Sequence, residues 1–188
     1  MIYTIYKPNK NINGGLATFR VKKQKKNGDS EYPWTSSLFI ELLKQNTWNS
    51  EKHTGTFDKE SRKFITLNVS EAGEFINTFK NKIPFSSFHT SAKGSTSFSL
   101  SPYSWKRKVN NNDFEITCFG FSVKSNNVEY KIPITPGEAE VLTVLLEHFI
   151  KEYASLSLKE EEANRKNQPQ SRETKTNDDE ISSQDIPF

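Results

Sequence analysis

The stretch Lys131–Tyr153, KIPITPGEAEVLTVLLEHFIKEY, changes its period halfway along, and that change decides the fold. Up to Ile134 the pattern is that of a half-buried strand: Val128, Tyr130, Ile132 and Ile134 alternate with Glu129, Lys131 and Pro133. Thr135 can then cap a helix, with Pro136 at the first position, where a missing N–H costs nothing. Glu138 and Glu140 fall in the first turn, where the helix dipole favours acids. Val141, Leu142, Leu145, Leu146, Phe149, Ile150 and Tyr153 follow at helical spacing and form a wide apolar face that has to be buried.

Working outward, the same alternation recurs in short runs. Residues 2–7, 15–23, 37–43 and 64–69 read as strands, the third also readable as a helical turn, with Ala17, Phe19 and Val21 on one face of the second and Arg20 and Lys22 on the other. In the third, Leu38, Ile40 and Leu42 point inward and Phe39 and Leu43 outward. In the fourth, Ile65, Leu67 and Val69 share a face. Residues 44–62 are polar and read as loop. Ser70 is the expected cap of a helix, SEAGEFINTFK, whose apolar side is Phe75, Ile76 and Phe79. Strands follow at 85–91, 96–103, 114–123 and 128–134. In 114–123 the apolar phase slips between Cys118 and Phe119, which predicts a β-bulge. Phe64, Phe75, Phe79, Phe114 and Phe149 read as core. Four strands, a helix, four strands and a helix define an α+β domain of two antiparallel four-stranded sheets over residues 1–155. From Leu156 onward the chain is almost devoid of apolar residues until its tip. Residues 156–188 are therefore expected to form a disordered acidic tail ending in Asp-Ile-Pro-Phe.

Composition narrows the function. The 188 residues are only 33% apolar but 12% aromatic, with fourteen Phe. The single Cys118 excludes an internal disulfide, and His53, His89 and His148 lack the spacing of metal ligands. No apolar run reaches the length of a membrane span and no leader is visible, so a soluble, cytoplasmic protein is expected. No Gly-rich phosphate loop, paired metal ligands or nucleophile elbow is present. The reading is a binding protein with no metal and no cofactor, not an enzyme. From Leu156 onward eight acidic residues face five basic ones, a net of −3, which leaves +6 on the body and points to an anionic partner.

Single-stranded nucleic acid is contacted by cations along the phosphates and by aromatic faces under unpaired bases. The chain interleaves both. Tyr6-Lys7, Arg20 with Lys22 and Lys23, Phe88-His89 with Lys93, and Tyr103-Ser104-Trp105-Lys106-Arg107 are the clusters, joined by Trp34 and Phe39 as candidate nucleic-acid contacts. Trp105 carries the sharpest signal, because a core Trp rarely precedes three consecutive cations. Phe39 and Phe88 read equally well as core or as ligand-facing.

Three segments, FITLNVSEAGEFI, FSSFHTSAKGSTSFSLSP and FGFSVKSNNVEYKIPITPGEAEVLTVLLEHFI, resemble in their order the whirly family of single-stranded DNA-binding proteins. Upstream, Gly14-Gly15-Leu16-Ala17 and Phe57-Asp58 with Arg62-Lys63 fall where that family has a Lys-Gly-Lys-Ala motif and an aromatic-Asp, Arg-Lys stretch. The resemblance spans roughly residues 3–155. It implies two antiparallel sheets, each followed by a helix, and a tetramer with helices at its hub, here expected through Leu142, Leu145, Leu146 and Phe149. It also implies single-stranded DNA across the sheets. The family's motif lysines are replaced by Asn13 and Gly15, with Lys7, Lys10 and Arg20 nearby. The tip Asp185, Ile186, Pro187 and Phe188 is similar to the acidic terminus of bacterial single-stranded DNA-binding proteins. That similarity implies capture of DNA-processing partners and a bacterial or bacteriophage setting, with a role in replication, recombination or repair. A transcriptional regulator, an RNA-annealing chaperone and a protein–protein adaptor remain alternative readings.

Overall fold

The computed structural model describes residues 1–26, 34–92, 94–110, 112–125 and 128–167, excluding the side chains of Arg107, Val109 and Asn167. The first antiparallel sheet runs in the order β1 (Ile2–Lys7), β2 (Gly15–Lys25), β3 (Trp34–Asn49) and β4 (Thr54–Leu67). Helix α1 (Val69–Asn81) leads to the second sheet, β5 (Phe85–Ser91), β6 (Gly94–Val109), β7 (Asn112–Ser125) and β8 (Val128–Ile134), also in sequence order. Helix α2 (Pro136–Asn167) closes the chain.

Both helix starts are chemically specified. Thr135 Oγ1 accepts from the Glu138 N–H at 3.4 Å, and Glu138 Oε2 accepts from the Thr135 N–H at 2.8 Å. This reciprocal box satisfies donors that the helix itself leaves unpaired. Helix α1 uses the same device two residues earlier than expected. Asn68, not Ser70, is the cap: its Oδ1 accepts from the Glu71 N–H at 2.8 Å, and Glu71 Oε2 accepts from the Asn68 N–H at 3.0 Å. Val69 therefore opens the helix and does not end the strand.

One core is shared by both sheets and both helices. Phe75 on α1 is its aromatic centre, with the rings of Phe79, Phe85, Phe98 and Phe121 at 5.5–6.5 Å. Phe19 of the first sheet meets Phe121 of the second at 6.1 Å. Where β2 passes β8, Gly15 lies against Ile132. A Cβ on Gly15 would lie 2.5 Å from Ile132 Cδ1 and 3.3 Å from the Lys131 carbonyl, so a side chain here would force the buried Ile132 to shift. Polar stitches run beside it: Lys63 Nζ donates to Ser125 Oγ at 2.8 Å, and the Tyr130 hydroxyl donates to the Ser61 carbonyl.

Three expectations are corrected here. Residues 44–62 are not a loop: they complete β3 and most of β4, a hairpin that projects past β1 and β2. Without a core beneath it, the projecting part carries polar residues on both faces, such as the hydroxyl pair Thr47–Thr56 at 2.6 Å, and loses the apolar alternation. The β6–β7 register continues unshifted from Thr96↔Ser125 to Val109↔Asn112, so there is no bulge at Cys118. The apolar phase slips because both faces of β7 are covered there, Cys118 on one and Phe119 on the other. Finally, α2 runs to Asn167, so the body does not end at residue 155. Leu156 is buried and Lys26 pairs with Glu160. Glu161–Arg165 and Glu162–Lys166, spaced four apart, support the polar extension. The rest of the acidic segment lies outside the described residues.

Candidate nucleic-acid interface

Strand parity sets what each sheet shows on the face turned away from the core. On the first sheet, register places Arg20 opposite Phe39, and Phe39 opposite Thr66. One step along, Thr18 lies opposite Glu41 and Glu41 opposite Phe64. Arg62 sits over the Phe64 ring at 5.9 Å and pairs with Glu41 at 2.8 Å. Arg20 and Lys22 are exposed, Phe39 is half-buried, and Phe64 is 55% exposed. A depression of 480 Å³ lies among these groups. Phe64 was expected in the core; it alternates with Ile65 and Leu67, so its parity puts it outside.

The second sheet has a different outer face. Phe88 is 72% exposed and stands across from Ser97, which is across from Lys124. Ser86, Ser99 and Ser122 form the adjacent row. Beyond β5 and β8, the β6–β7 hairpin continues as a free two-stranded ribbon. Tyr103 and Trp105 occupy the outer face of β6, opposite Cys118 and Ile116, and Phe114 extends the strip. Phe114, expected in the core, is exposed because the ribbon has no layer behind it. Burial raises the Cys118 thiol, against the opposing charge of Lys7 and a hydrogen bond with Tyr103, so it stays protonated. Burial, then the Cys118 contact, likewise raises the Tyr103 hydroxyl.

The remaining candidates are distributed differently. Lys106 faces the other side of the ribbon, opposite Glu115, whose carboxylate accepts from Ser104. Lys23 reaches over the exposed Trp34 ring at 5.1 Å and also borders the depression on the first sheet, which Trp34 does not line. Tyr6 is exposed, but its hydroxyl is committed to Gly55, donating to the carbonyl at 2.9 Å and accepting from the N–H at 3.0 Å. Lys7 is paired with Glu138 at 2.7 Å. His89 lies on the inner side of β5, with Nε2 2.8 Å from Glu71 Oε1 and its ring against Phe98. Lys93, the Arg107 side chain and the tip Asp185–Phe188 lie outside the described residues. Leu142, Leu145, Leu146 and Phe149 are 0–1% exposed within one protomer, so they build its own core and are not available to a partner. The exposed apolar residues of α2 are instead Val141 and Val144, with Tyr153 and Leu158 further along. Among the described residues no cluster of His, Cys, Asp and Glu could hold a metal ion.

Two four-stranded sheets whose outer faces carry cations and aromatic rings, with helices packed behind them, define an α+β body. No protein-family model matches the sequence, and no curated protein matches it. Solved structures do. The plant transcriptional regulator PBF-2 is 16% identical, with 85% of this chain covering 93% of that one at a TM-score of 0.57. WHY1 from Arabidopsis thaliana is 14% identical, covering 92% and 96%, at 0.58. WHY3 from the same plant is 16% identical, covering 87% and 94%, at 0.57. The chain therefore has the whirly fold.

Proposed function

We propose that this protein binds single-stranded DNA through the outer faces of its two sheets, with little sequence preference, during replication, recombination or repair. The observation that carries the reading is the pairing of cation and ring on each face: Arg20 beside Phe39 on one, Lys124 in register with Phe88 on the other. Rings that packing does not need are available to stack on unpaired bases, each stack contributing roughly 1–3 kcal/mol. Duplex bases offer no such faces. Cations nearby neutralise phosphates and make binding fall with salt. Titration with short single-stranded and duplex oligonucleotides at several salt concentrations tests this. Preference for single strands and a steep salt slope are expected; preference for duplex overturns it.

In the same reading, the tip Asp185–Phe188 recruits DNA-processing proteins in a bacterial or phage-infected cell. Its terminal ring and carboxylate suit a pocket lined by apolar and basic groups. Removing the four residues should leave DNA affinity unchanged or higher while abolishing partner capture; an unchanged partner set rejects the role. Assembly to a tetramer runs through the exposed stripe of α2 at Val141 and Val144. A second reading, a transcriptional regulator, is favoured by the likeness to PBF-2. A strong preference for one promoter sequence over scrambled single strands distinguishes it.

A further inference from the structure

The depression on the first sheet contains one group that phosphate neutralisation does not explain. Among the residues lining it, Thr18, Arg20, Phe39, Phe64 and Thr66 suit a stacked base or its phosphate, but Glu41 is a carboxylate. A carboxylate there repels the backbone of any nucleic acid that crosses the face. Its charge is held by Arg62, whose Nε lies 2.8 Å from Oε1, and its side chain is 22% exposed. One guanidinium contact does not exhaust a carboxylate, which offers about four lone-pair sites and no donor. Phe64 lies directly opposite it on β4, and Phe39, two residues back on β3, is the diagonal neighbour of Phe64, a spacing of about 7–8 Å across a sheet.

We infer that Glu41 reads the base seated in this depression and selects bases that carry an exocyclic amino group. The inference rests on the single-stranded DNA reading and deepens it. Cytosine presents its N4 amino group as a donor, a contact that acidic side chains accept. Thymine presents one N–H between two carbonyl oxygens, which an acceptor-only group disfavours. Cytosine and thymine are both single-ring bases, so comparing them isolates the edge from stacking. The result is a modest base preference on an otherwise sequence-tolerant surface.

The test uses the full-length protein and two labelled oligonucleotides of equal length, oligo(dC) and oligo(dT), read by fluorescence anisotropy. The wild type should bind oligo(dC) about tenfold more tightly. Glu41→Gln, which offers both a donor and an acceptor, should strengthen binding of oligo(dT) more than of oligo(dC), bringing the two within about twofold. Arg62→Gln should keep the preference, because the carboxylate remains. A wild type that binds both equally overturns the assignment while leaving single-stranded binding intact. So does an unchanged ratio in Glu41→Gln, or loss of preference in both variants, which would make the ion pair a structural brace. Failure of the wild type to bind either oligonucleotide removes the underlying reading, and this one with it.

Discussion

Lys7 Nζ lies 2.7 Å from Glu138 Oε1, tying the end of the first strand to the first turn of the last helix. The pair joins chain ends more than a hundred residues apart, beside the junction of the two sheets. Burial raises the Glu138 carboxyl. The hydrogen bond from Lys7, those from the Thr135 N–H and hydroxyl, and the lysine charge outweigh it, leaving the group below its usual value. A carboxylate depressed in the folded state contributes stability that is complete above its unfolded value and lost as pH falls through its folded one.

Lys7→Met should therefore cost about 1–2 kcal/mol at neutral pH, since it leaves a half-buried carboxylate without its cation. The gap between variant and wild type should close at acid pH, where Glu138 is protonated in both. Urea unfolding across a pH series measures it, and a gap that stays constant down to acid pH contradicts the assignment.

The caps make opposite forecasts for neighbouring residues. Asn68→Ala removes the acceptor for the Glu71 N–H and should cost about 1 kcal/mol. Ser70→Ala, inside the helix and exposed, should be nearly neutral. Equal losses in the two variants on thermal unfolding would mean that the cap is misassigned.

Residues on the two sides of α2 should separate stability from assembly. Leu146→Ala opens a cavity in a site with no exposure and should cost about 2–5 kcal/mol. Val144→Lys, on the 58% exposed side, should leave unfolding unchanged and lower the mass seen by light scattering. A fully assembled Val144→Lys protein excludes that stripe as the contact.

Exposed rings should matter to ligand and not to folding. Phe64→Ala, Phe88→Ala and Trp105→Ala should each weaken oligonucleotide binding by roughly 1–3 kcal/mol with little change in melting temperature. Arg20→Gln and Lys124→Gln should chiefly flatten the salt dependence. A variant that loses stability and keeps affinity identifies its ring as packing.

How far the sequence could be read depended on whether a layer lay beneath each strand. Where one did, as under Phe19 and Val21 or Ile132 and Ile134, alternation located the strand and its inward face. The two long hairpins run past their neighbouring strands, so no continuous apolar face imprinted a period on residues 44–62 or 104–109. Phe64 was legible all the same: its neighbours Ile65 and Leu67 assign the inward parity, and Phe64 has the other. For Lys7 and His89 composition suggested ligand contacts, but their carboxylate partners, Glu138 and Glu71, lie far away in sequence. Glu41 was missed because a lone acid in a strand looks like ordinary surface until the strands beside it supply Phe64 and Arg62.

The unbroken pairing of β6 with β7 also constrains how the ribbon can change length. Tyr103, Trp105, Ile116 and Phe114 share a side only because no extra residue interrupts either strand. A single insertion in one strand would turn the residues of that strand beyond it to the opposite side and put Lys106, or Glu115 if the insertion is in β7, where the aromatic strip stands. Two residues added to each strand at the Asn110 turn would lengthen the ribbon and preserve both sides. The ribbon thus has a reading frame of two, and length variation in it is tolerated in even steps.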